Sequence, residues 1–527
     1  MKTKLAVLTF VAFLFTILSF GSERAIAGVW YVDNGASGKN NGTSWDHAWT
    51  GFKNIKWGSG GVEAGDLIYI SGGPSAKTYN EQLSIGANGT SALPITIRPG
   101  AASPHPAGHE GTVIIHNAQD DGIFFQSKSH ITIDGQHSNQ SKIRITGSAL
   151  SGIYIVGNSH HILLNHLELD HNGLPGPGRE WQKNGVTTNF NEASGRLLEI
   201  SNCNIHDNYQ DGLHILGARG PNEFDRILIH HNRIHHFNDD GIEIGIRGLS
   251  LYDNVFHSLA NNGGIGHPDG IQTCGGYMKV FKNTFYNIQH PSKPCNAYML
   301  ITTYYPIPIE ESKIYVYNNL IYHTPEPKAE DYTRGIKFTR TPGGHATGVS
   351  DVYIVNNTIV GTPFYGLSIW VNGFTTVRNV NVLNNIIYNC YRIYNSYANA
   401  VSLDTGKHTI GSYGGQAQLI IDYNIIHAGP EGADRIFHGG NIYDYSSWTF
   451  TYGTQKHIKG NPDPKLSPTY KLTRGSPAID TGVNLSDLFA DDKDGNSRPK
   501  GTLWDIGAFE FRNENASAAP ANPVISR

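Results

Sequence analysis

Three aspartates in the middle of the chain each precede a glycine and recur at a constant spacing. They are Asp211, Asp240 and Asp269, each 29 residues from the next, and each Asp-Gly step opens a short alternation of apolar and polar residues. If one repeat is one coil of stacked strands, neighbouring coils lie about 4.8 Å apart, and the carboxylates repel one another unless a proton or a cation lies between them. The alternative is a repeated tight turn without chemistry, since Asp, Asn and Ser all favour the position before glycine. Asn184 and Ser151 occupy that position without a charge.

The residues after these glycines bring further polar groups to the same place. In 213–215, 242–244 and 271–273 the flanking residues are apolar or β-branched, so we expect them to face the core and the residue between them to face solvent. The expected outward strip is His214, Glu243 and Gln272. Residues near it in the sequence are Asp239, His267, Arg219 and Arg247.

The elements that must position these residues are short strands, repeated between residues 160 and 430. Each repeat has a strand with period-2 alternation, an Asn, a polar turn and often a second strand that begins Gly-Ile or Gly-Leu. Such periods predict a β-solenoid. The Asn positions predict a ladder of stacked amides at one corner, with Cys203 buried in the same slot one coil earlier; they are Asn232, Asn254, Asn283, Asn319, Asn357, Asn385 and Asn424.

Composition agrees with a long all-β chain that is exported. Charged residues make up 16% and Gly numbers 61, a composition that favours strands and turns. The formal net charge is −4, which gives no electrostatic basis for nucleic-acid binding. Residues 1–27 have a basic start, an apolar stretch and an Ala25-Ile26-Ala27 cleavage signal, so we predict a signal peptide cleaved near Ala27 and a secreted protein, extracellular or periplasmic. No later stretch is apolar enough to span a bilayer.

The cysteines show no spacing of the kind that binds a metal. Cys274 and Cys295 lie 21 residues apart, about one repeat, so a disulfide between adjacent coils and two free thiols both stay open.

The repeats resemble the parallel β-helix repeats of the pectate-lyase-like superfamily. VWYVDNGASGKNNGTSWDHAW is similar to the opening segment of bacterial exported β-helix proteins, and SPAIDTGVN with DKDGNSRPKGTLWDIGAFEF is similar to their closing segment. The resemblance implies an all-β, single-stranded right-handed parallel β-helix with an N-terminal cap. We expect a cap and first coils over 28–150, repeats over 151–430, final coils and a closing segment over 431–512, and a disordered tail over 513–527.

The resemblance also implies a surface that binds a polysaccharide, and most simply a polysaccharide lyase that cleaves a uronate-containing polymer. In that case Ca²⁺ would be held by oxygen ligands from Asp211, Asp239, Asp240 and Asp269, with Glu243 as an alternative to Asp239. Arg247, Arg219 or Lys279 is the candidate base by resemblance, and His214 or His267 by intrinsic pKa. Glu243, Gln272, Arg219, Lys279 and Tyr277 are the expected substrate contacts, with Tyr209, Trp181, Tyr304 and Tyr305 also available for stacking on sugar rings.

Two other functions stay open. An inverting glycoside hydrolase needs two carboxyl groups about 6.5–9.5 Å apart, a separation that Asp211 and Asp269 approach from two coils apart, with Asp240 between them as the acid. A non-catalytic glycan-binding protein of the same fold would use the same strip without chemistry. We expect a monomer in each case.

Overall fold

The computed structural model describes residues 28–100, 107–175, 182–191, 195–218, 221–260, 268–288, 296–303, 312–325, 333–340, 348–390, 401–406, 409–411, 417–427, 435–438, 441–444 and 462–512. In these segments the chain forms three long sheets, in which successive coils pair almost entirely in parallel. Each full coil passes through the three sheets in turn, as in Leu198–Ser201, Asn204–His206 and Leu213–Gly217. The prediction of an all-β parallel β-helix is confirmed.

Sheet I has 14 strands. In sheet order they are Val29–Val32, Leu67–Ile70, Ile95–Pro99, Ser129–Asp134, His160–Asn165, Leu198–Ser201, Ile227–His230, Leu249–Tyr252, Met278–Phe281, Ile314–Tyr317, Gly348–Val355, Thr376–Leu383, Leu419–Asp422 and Ile410–Gly411.

Sheet II has 12 strands. They are Ala76–Tyr79, Thr112–Ile115, Ile143–Thr146, Leu167–Asp170, Asn204–His206, Arg233–Phe237, Val255–Leu259, Thr284–Tyr286, Leu320–Tyr322, Thr358–Val360, Ile386–Tyr388 and Ile425–His427.

Sheet III has 13 strands, and the three aspartates lie where the chain enters three of them. Its strands are Leu83–Ser84, Ile123–Gln126, Ile153–Gly157, Val186–Phe190, Leu213–Gly217, Ile242–Ile244, Asp269–Thr273, Ala297–Thr303, Arg334–Arg340, Leu367–Trp370, Val401–Asp404, Arg435–His438 and Asn441–Asp444. The last two pair antiparallel. A small hairpin of Gln136–His137 and Gln140–Ser141 and a 3₁₀ turn at Phe52–Asn54 complete the described elements.

The core is a continuous stack of branched and aromatic side chains inside the coils. Like residues stack on like, as where the rings of Phe256 and Phe285 lie 4.5 Å apart and nearly parallel. Trp49 and Phe52 from the N-terminal segment join the same core. Stacking of this kind buries apolar surface on every coil, which is what stabilises a solenoid whose coils contact only their neighbours.

The Asn ladder is confirmed at the corner between sheets I and II. The backbone N–H and the Nδ2 of Asn319 both donate to Oδ1 of Asn357, at 3.1 and 3.0 Å, and the same pattern runs from Asn232 to Asn424. Cys203 occupies the slot before Asn232, is buried, and donates its N–H to Oδ1 of Asn232 at 2.9 Å.

The closing segment, residues 462–512, packs along the outside of the same corner. Its Phe489 stacks on Tyr317 of sheet I at 4.4 Å, and its Asp491 pairs with Lys282 at 2.6 Å. Asn356 donates to the carbonyl oxygen of Asp505 at 3.0 Å. This segment therefore covers polar corner groups of coils that lie more than a hundred residues earlier in the chain.

Candidate functional site

The three aspartates form a second ladder, at the corner where the chain enters sheet III. Oδ1 of Asp211 accepts the N–H of Asp240 at 2.9 Å, and Oδ1 of Asp240 accepts the N–H of Asp269 at 2.8 Å. Asn184 serves Asp211 in the same way at 2.9 Å, and Asp269 serves Ala297 at 2.6 Å. One carboxylate oxygen of each aspartate therefore satisfies the backbone of the next coil, a task that an amide oxygen performs equally well at position 184.

The glycine after each aspartate is required by the closeness of the coils. A Cβ on Gly212 would lie 2.5 Å from the carbonyl oxygen of Gly241, and a Cβ on Gly241 would lie 2.5 Å from that of Gly270. No real Cβ atom tolerates such a contact with backbone. The repeated Asp-Gly step is thus explained by steric and hydrogen-bonding requirements of the coil. The coil does not require the negative charge of the aspartate.

The carboxyl groups of these three aspartates, which we call the column, are buried, and their surroundings disfavour the ionised form. The relative exposures of Asp211, Asp240 and Asp269 are 4%, 3% and 0%. Burial raises the pKa of Asp211 and, together with repulsion from Asp269 and Asp211, raises the pKa of Asp240 well above its usual value. Burial also raises the pKa of Asp269 to about 8. Without a cation, each of these three carboxyl groups therefore holds a proton more readily than an exposed aspartate does.

His214 lies between two of the acidic groups. Its Nδ1 is 2.7 Å from Oδ2 of Asp211 and 3.1 Å from Oε2 of Glu243. Burial alone would lower the pKa of His214, but its contacts with Asp211 and Glu243 outweigh that effect and raise it to about 10. Its Nε2 is buried with no hydrogen-bond partner among the described residues. His214 therefore acts as an internal positive charge within the acidic cluster, by which we mean Asp211, Asp239, Asp240 and Glu243.

The expected strip exists as a row of side chains on sheet III, although its first member is buried. His214 pairs in register with Glu243, and Glu243 with Gln272. His214 is 8% exposed, whereas Glu243 and Gln272 are half-buried. The expectation that all three face solvent is thus wrong for His214. Alternation along a strand fixes the face that a side chain points to, but not what surrounds it there.

The same row continues to a lysine that sequence reasoning missed. Gln272 pairs with Leu300, and Leu300 with Lys337. The Nζ of Lys337 lies 3.4 Å from Oδ1 of Asn296, whose Nδ2 lies 3.5 Å from Oδ2 of Asp269. Burial and the charge of Arg334 lower the pKa of this lysine. The signal was present in the sequence, because Gly335-Ile336-Lys337 repeats the phase of Gly241-Ile242-Glu243.

Other groups extend the site past Lys337. The Nζ of Lys337 lies 5.2 Å from the ring centre of Trp370, which is partly exposed. Arg334 donates to Oδ1 of Asn296 at 3.1 Å and packs over the ring of Phe364. Sheet III therefore carries a graded surface, acidic at the coils of Asp211 and Asp240 and basic and aromatic three to four coils further on.

Several of the sequence-predicted residues lie elsewhere. Lys279 and Tyr277 belong to sheet I and its leading corner, where Lys279 is 3.7 Å from Asp225. Arg247 is buried in the turn between sheets III and I and donates to Oδ1 of Asn222. Tyr209 lies under Lys183, 5.1 Å from its Nζ. The structure does not bring these residues to the row of Glu243 and Lys337.

Other predicted groups fall outside the described residues. They are His267, Arg219, Trp181, Tyr304, Tyr305 and Cys295, together with the signal peptide 1–27 and the tail 513–527.

The acidic cluster has the donor chemistry of a calcium site. Ligand atoms of Asp211, His214 and Glu243 lie within 4.8 Å of one another. The charges of Asp239 and Glu243 also raise the pKa of Asp240, so Asp239 and Asp240 lie near this group. Ca²⁺ takes oxygen ligands, so these carboxylates are of the right type, and His214, which would repel the ion when protonated, has to lose its proton when the ion binds. Both oxygens of Asp269 face other groups, Ala297 and Asn296, and those of Asp211 face the N–H of Asp240 and His214.

Residues 184–382 match the family model described as a right handed beta helix region. A comparison with curated proteins found no match. Within the described residues, no helix is both long and apolar enough to cross a membrane.

Solved structures of carbohydrate-active proteins are similar in fold. The pectate lyase Pel9A shares 14% identity with a TM-score of 0.43, over 92% of this chain and 96% of its own. A lacto-N-biosidase from Eubacterium ramulus shares 10% with a TM-score of 0.42, over 78% and 67%. A PL6 family polysaccharide lyase from Pseudopedobacter saltans shares 15% with a TM-score of 0.31, over 78% and 94%. Proteins this distant do not identify the reaction. The three parallel sheets and the family match together make this chain a right-handed parallel β-helix protein.

Proposed function

We propose that the protein is a secreted polysaccharide lyase that cleaves a uronate-containing polymer by β-elimination, with Ca²⁺ at the acidic cluster. The observation that carries this proposal is the row on sheet III that runs from the carboxylates around Asp240 to Lys337. It combines a site for a cation with a buried-stem lysine whose pKa is lowered. β-Elimination needs a group that neutralises the substrate carboxylate and a base that removes the proton.

The residues that would hold the cation are Asp211, Asp239, Asp240 and Glu243. When bound there, Ca²⁺ would neutralise the uronate carboxylate and so acidify the proton on the adjacent ring carbon. The protein's own contribution is to supply ligand oxygens that are already fixed, because Asp211 and Asp240 are locked by the N–H groups of the next coils. Fixed ligands lose little freedom on binding.

Lys337 is the group that we assign as the base. Its backbone lies three coils from Glu243, about 14 Å along the helix axis, and its Nζ contacts Asn296 on the preceding coil. A neutral amine takes the proton from C5, the electron pair of that C–H bond forms the C4–C5 double bond, the C4–O bond to the next sugar breaks, and the leaving oxygen takes up a proton from water. The lowered pKa makes the neutral amine more abundant near neutral pH. Asn296, which contacts both Lys337 and Asp269, orients the amine.

The test is product analysis on a panel of uronate polymers, with calcium and with EDTA. The proposal expects unsaturated uronate products, detected by their ultraviolet absorbance, that disappear with EDTA and return with added Ca²⁺. New reducing ends without that absorbance would indicate hydrolysis, with protonated Asp240 as the acid, and would overturn the proposal. Binding of a polymer without any cleavage would equally overturn it and favour a glycan-binding protein.

The proposal includes secretion, because residues 1–27 have the pattern of a signal peptide. Analysis of the mature amino terminus after expression tests it. A start near Gly28 is expected, and retention of Met1 would contradict it.

A further inference from the structure

Three histidines meet at another corner of the helix, where the chain enters sheet I. His130 belongs to the strand Ser129–Asp134, and His160 and His161 begin the next strand, His160–Asn165. The two strands pair in parallel, with His160 opposite Ser129. The corner lies two coils before Asp211 and at the other end of the sheet III strands, so it is separate from the acidic cluster.

The three imidazoles converge on one point. One ring nitrogen from each lies within 4.8 Å of the others. Nδ1 of His160 is 2.8 Å from Nδ1 of His161, and the ring of His130 lies 4.5 Å from that of His161 and 5.3 Å from that of His160. His161 is exposed and the other two are half-buried, so solvent reaches the cluster.

The corner itself does not need histidine. His130 and His161 occupy one slot in register, both with left-handed backbone at φ 57° and 52°. The same slot on later coils holds Tyr277, Lys313, Asp351 and Asn379, also left-handed. Asp and Asn suit that conformation better than most residues. The fold therefore accepts many residues in the slot, and the histidines on two successive coils call for another explanation.

The contact between two of the rings suits a metal. Nδ1 of His160 and Nδ1 of His161 lie 2.8 Å apart and hold at most one proton between them. An ion that replaces this proton, which passes to solvent, meets a lone pair on each nitrogen. Arg196, whose charge acts on His161, is itself paired with Glu199 at 2.8 Å.

We propose that His130, His160 and His161 bind one divalent transition-metal ion of the Zn²⁺ type. Zn–N bonds of about 2.0–2.1 Å separate tetrahedral ligands by about 3.4 Å, a spacing between the 2.8 Å that separates Nδ1 of His160 from Nδ1 of His161 and the 4.8 Å within which the three ligand nitrogens lie. Neutral imidazole suits Zn²⁺, Cu²⁺ and Ni²⁺ and not Ca²⁺. Water completes the coordination on the exposed side. The ion joins two successive coils near the N-terminal end and takes no part in the proposed lyase chemistry.

The chain offers a matched control. His230 and His231 form a similar pair, with Nδ1 atoms 2.9 Å apart and left-handed backbone at His231, φ 57°. The ring stacked on His230 there is Tyr252, at 4.8 Å, in place of a third imidazole. A pair of adjacent histidines without the third is thus present in the same molecule.

The test is titration of the EDTA-treated, dialysed full-length protein with Zn²⁺ in competition with a chromophoric chelator. The variants are His130→Asn, His161→Asn and the control His231→Asn, since Asn keeps the left-handed backbone. We expect one tightly bound Zn²⁺ for the wild type and for the control, and a loss of affinity of at least about 100-fold in the other two. Melting curves without metal confirm that each variant folds.

Two results would overturn the inference. One is the absence of a tight Zn²⁺ site in the wild type. The other is equal affinity in all four proteins, which would mean diffuse binding to the many surface imidazoles. Because the readout is metal binding, neither result depends on whether the protein cleaves a polysaccharide.

Discussion

The carboxylate of Asp211 accepts the backbone N–H of Asp240 at 2.9 Å, across two successive coils. One oxygen of the aspartate thereby does the work that an Asn does elsewhere in this solenoid, and the second oxygen faces His214 at 2.7 Å. Structural and chemical roles are thus divided between the two oxygens of one side chain. Substitutions that remove only one of the two roles can separate them.

Asp240→Asn and Asp240→Ala should have opposite effects on the stability of the calcium-free protein. Asn keeps the acceptor for the N–H of Asp269 and cannot ionise where burial and the charges of Asp269 and Asp211 disfavour a carboxylate, so the variant should be as stable as the wild type or more stable. Ala leaves the buried N–H unpaired, which should lower the free energy of unfolding by about 1–3 kcal/mol. Urea unfolding in EDTA, followed by circular dichroism, measures both.

Calcium should make the wild type more stable than the Asp240→Asn variant. Added Ca²⁺ should raise the unfolding midpoint of the wild type, because a ligand that binds only the folded state stabilises it. Asp240→Asn should lose most of that increase. If Asp240→Asn is instead as unstable in EDTA as Asp240→Ala, the charge itself supports the coil and the division of roles is refuted.

In the Asn ladder the opposite substitution, Asn to Asp, should destabilise the protein. Asn319 is fully buried, and its Nδ2 donates to the carbonyl oxygens of Val280 and Tyr317 at 2.8 and 3.1 Å. Asn319→Asp would set a buried carboxylate against these oxygens, so at pH 7 it should destabilise the protein at least as much as Asn319→Ala, by about 1–3 kcal/mol or more. Urea unfolding at pH 7 measures both variants.

An exposed Asn provides the control for that comparison. Oδ1 of Asn158 accepts from Nδ2 of Asn191 at 2.9 Å, and an aspartate would still accept there. Asn158→Asp should change the free energy of unfolding by no more than about 0.5 kcal/mol. An Asn319→Asp variant as stable as this control would mean that the amide protons of the ladder contribute little.

The fold and the Asn ladder were predictable because both follow from local pattern. Period-2 alternation identified the strands, and a repeated Asn followed by an apolar residue identified the corner, including the buried slot of Cys203. The interior contacts between coils were less accessible. The glycine after Asp211 suggested a turn, whereas its strict requirement is the carbonyl oxygen of Gly241 on the next coil.

The candidate site was predicted in part, for a related reason. Residues on consecutive coils of equal length, such as His214 and Glu243, were placed in one row correctly. Lys337 was missed because coils of unequal length separate it from Glu243, so that coil number and not sequence distance sets its position. Lys279 is closer in sequence to the acidic cluster but lies on sheet I.

Lys337→Met should abolish the proposed lyase activity without unfolding the protein. Met has a similar apolar stem, so packing against Trp370 is retained while the amine is lost. General-base catalysis contributes about 10²–10⁴-fold, so kcat/KM should fall by at least about 100-fold, mainly through kcat. Lys279→Met on sheet I is the matched control and should keep wild-type kinetics. Equal losses in both variants, or none in Lys337→Met, would remove Lys337 from the mechanism.

A buried lysine of the closing segment should make the free energy of unfolding rise with pH above about pH 8. Burial lowers the pKa of Lys493 to about 8, although Asp253 and Asp494 act in the opposite direction. A lysine whose pKa is lower in the folded chain binds fewer protons there than in the unfolded chain. The free energy of unfolding must therefore rise between about pH 8 and pH 10.5, by about 1–3 kcal/mol from this group.

Lys493→Met tests this linkage, because an apolar side chain of similar length has no charge to desolvate. The variant should be at least as stable as the wild type at pH 7 and should lack this part of the rise between pH 8 and pH 10.5, as measured by urea unfolding at each pH. Lys39→Met, at an exposed lysine, should keep the rise. If the wild type and Lys493→Met show the same pH dependence, Lys493 is hydrated in the folded protein and the closing segment packs less tightly on its corner than the contacts of Lys282 and Phe489 indicate.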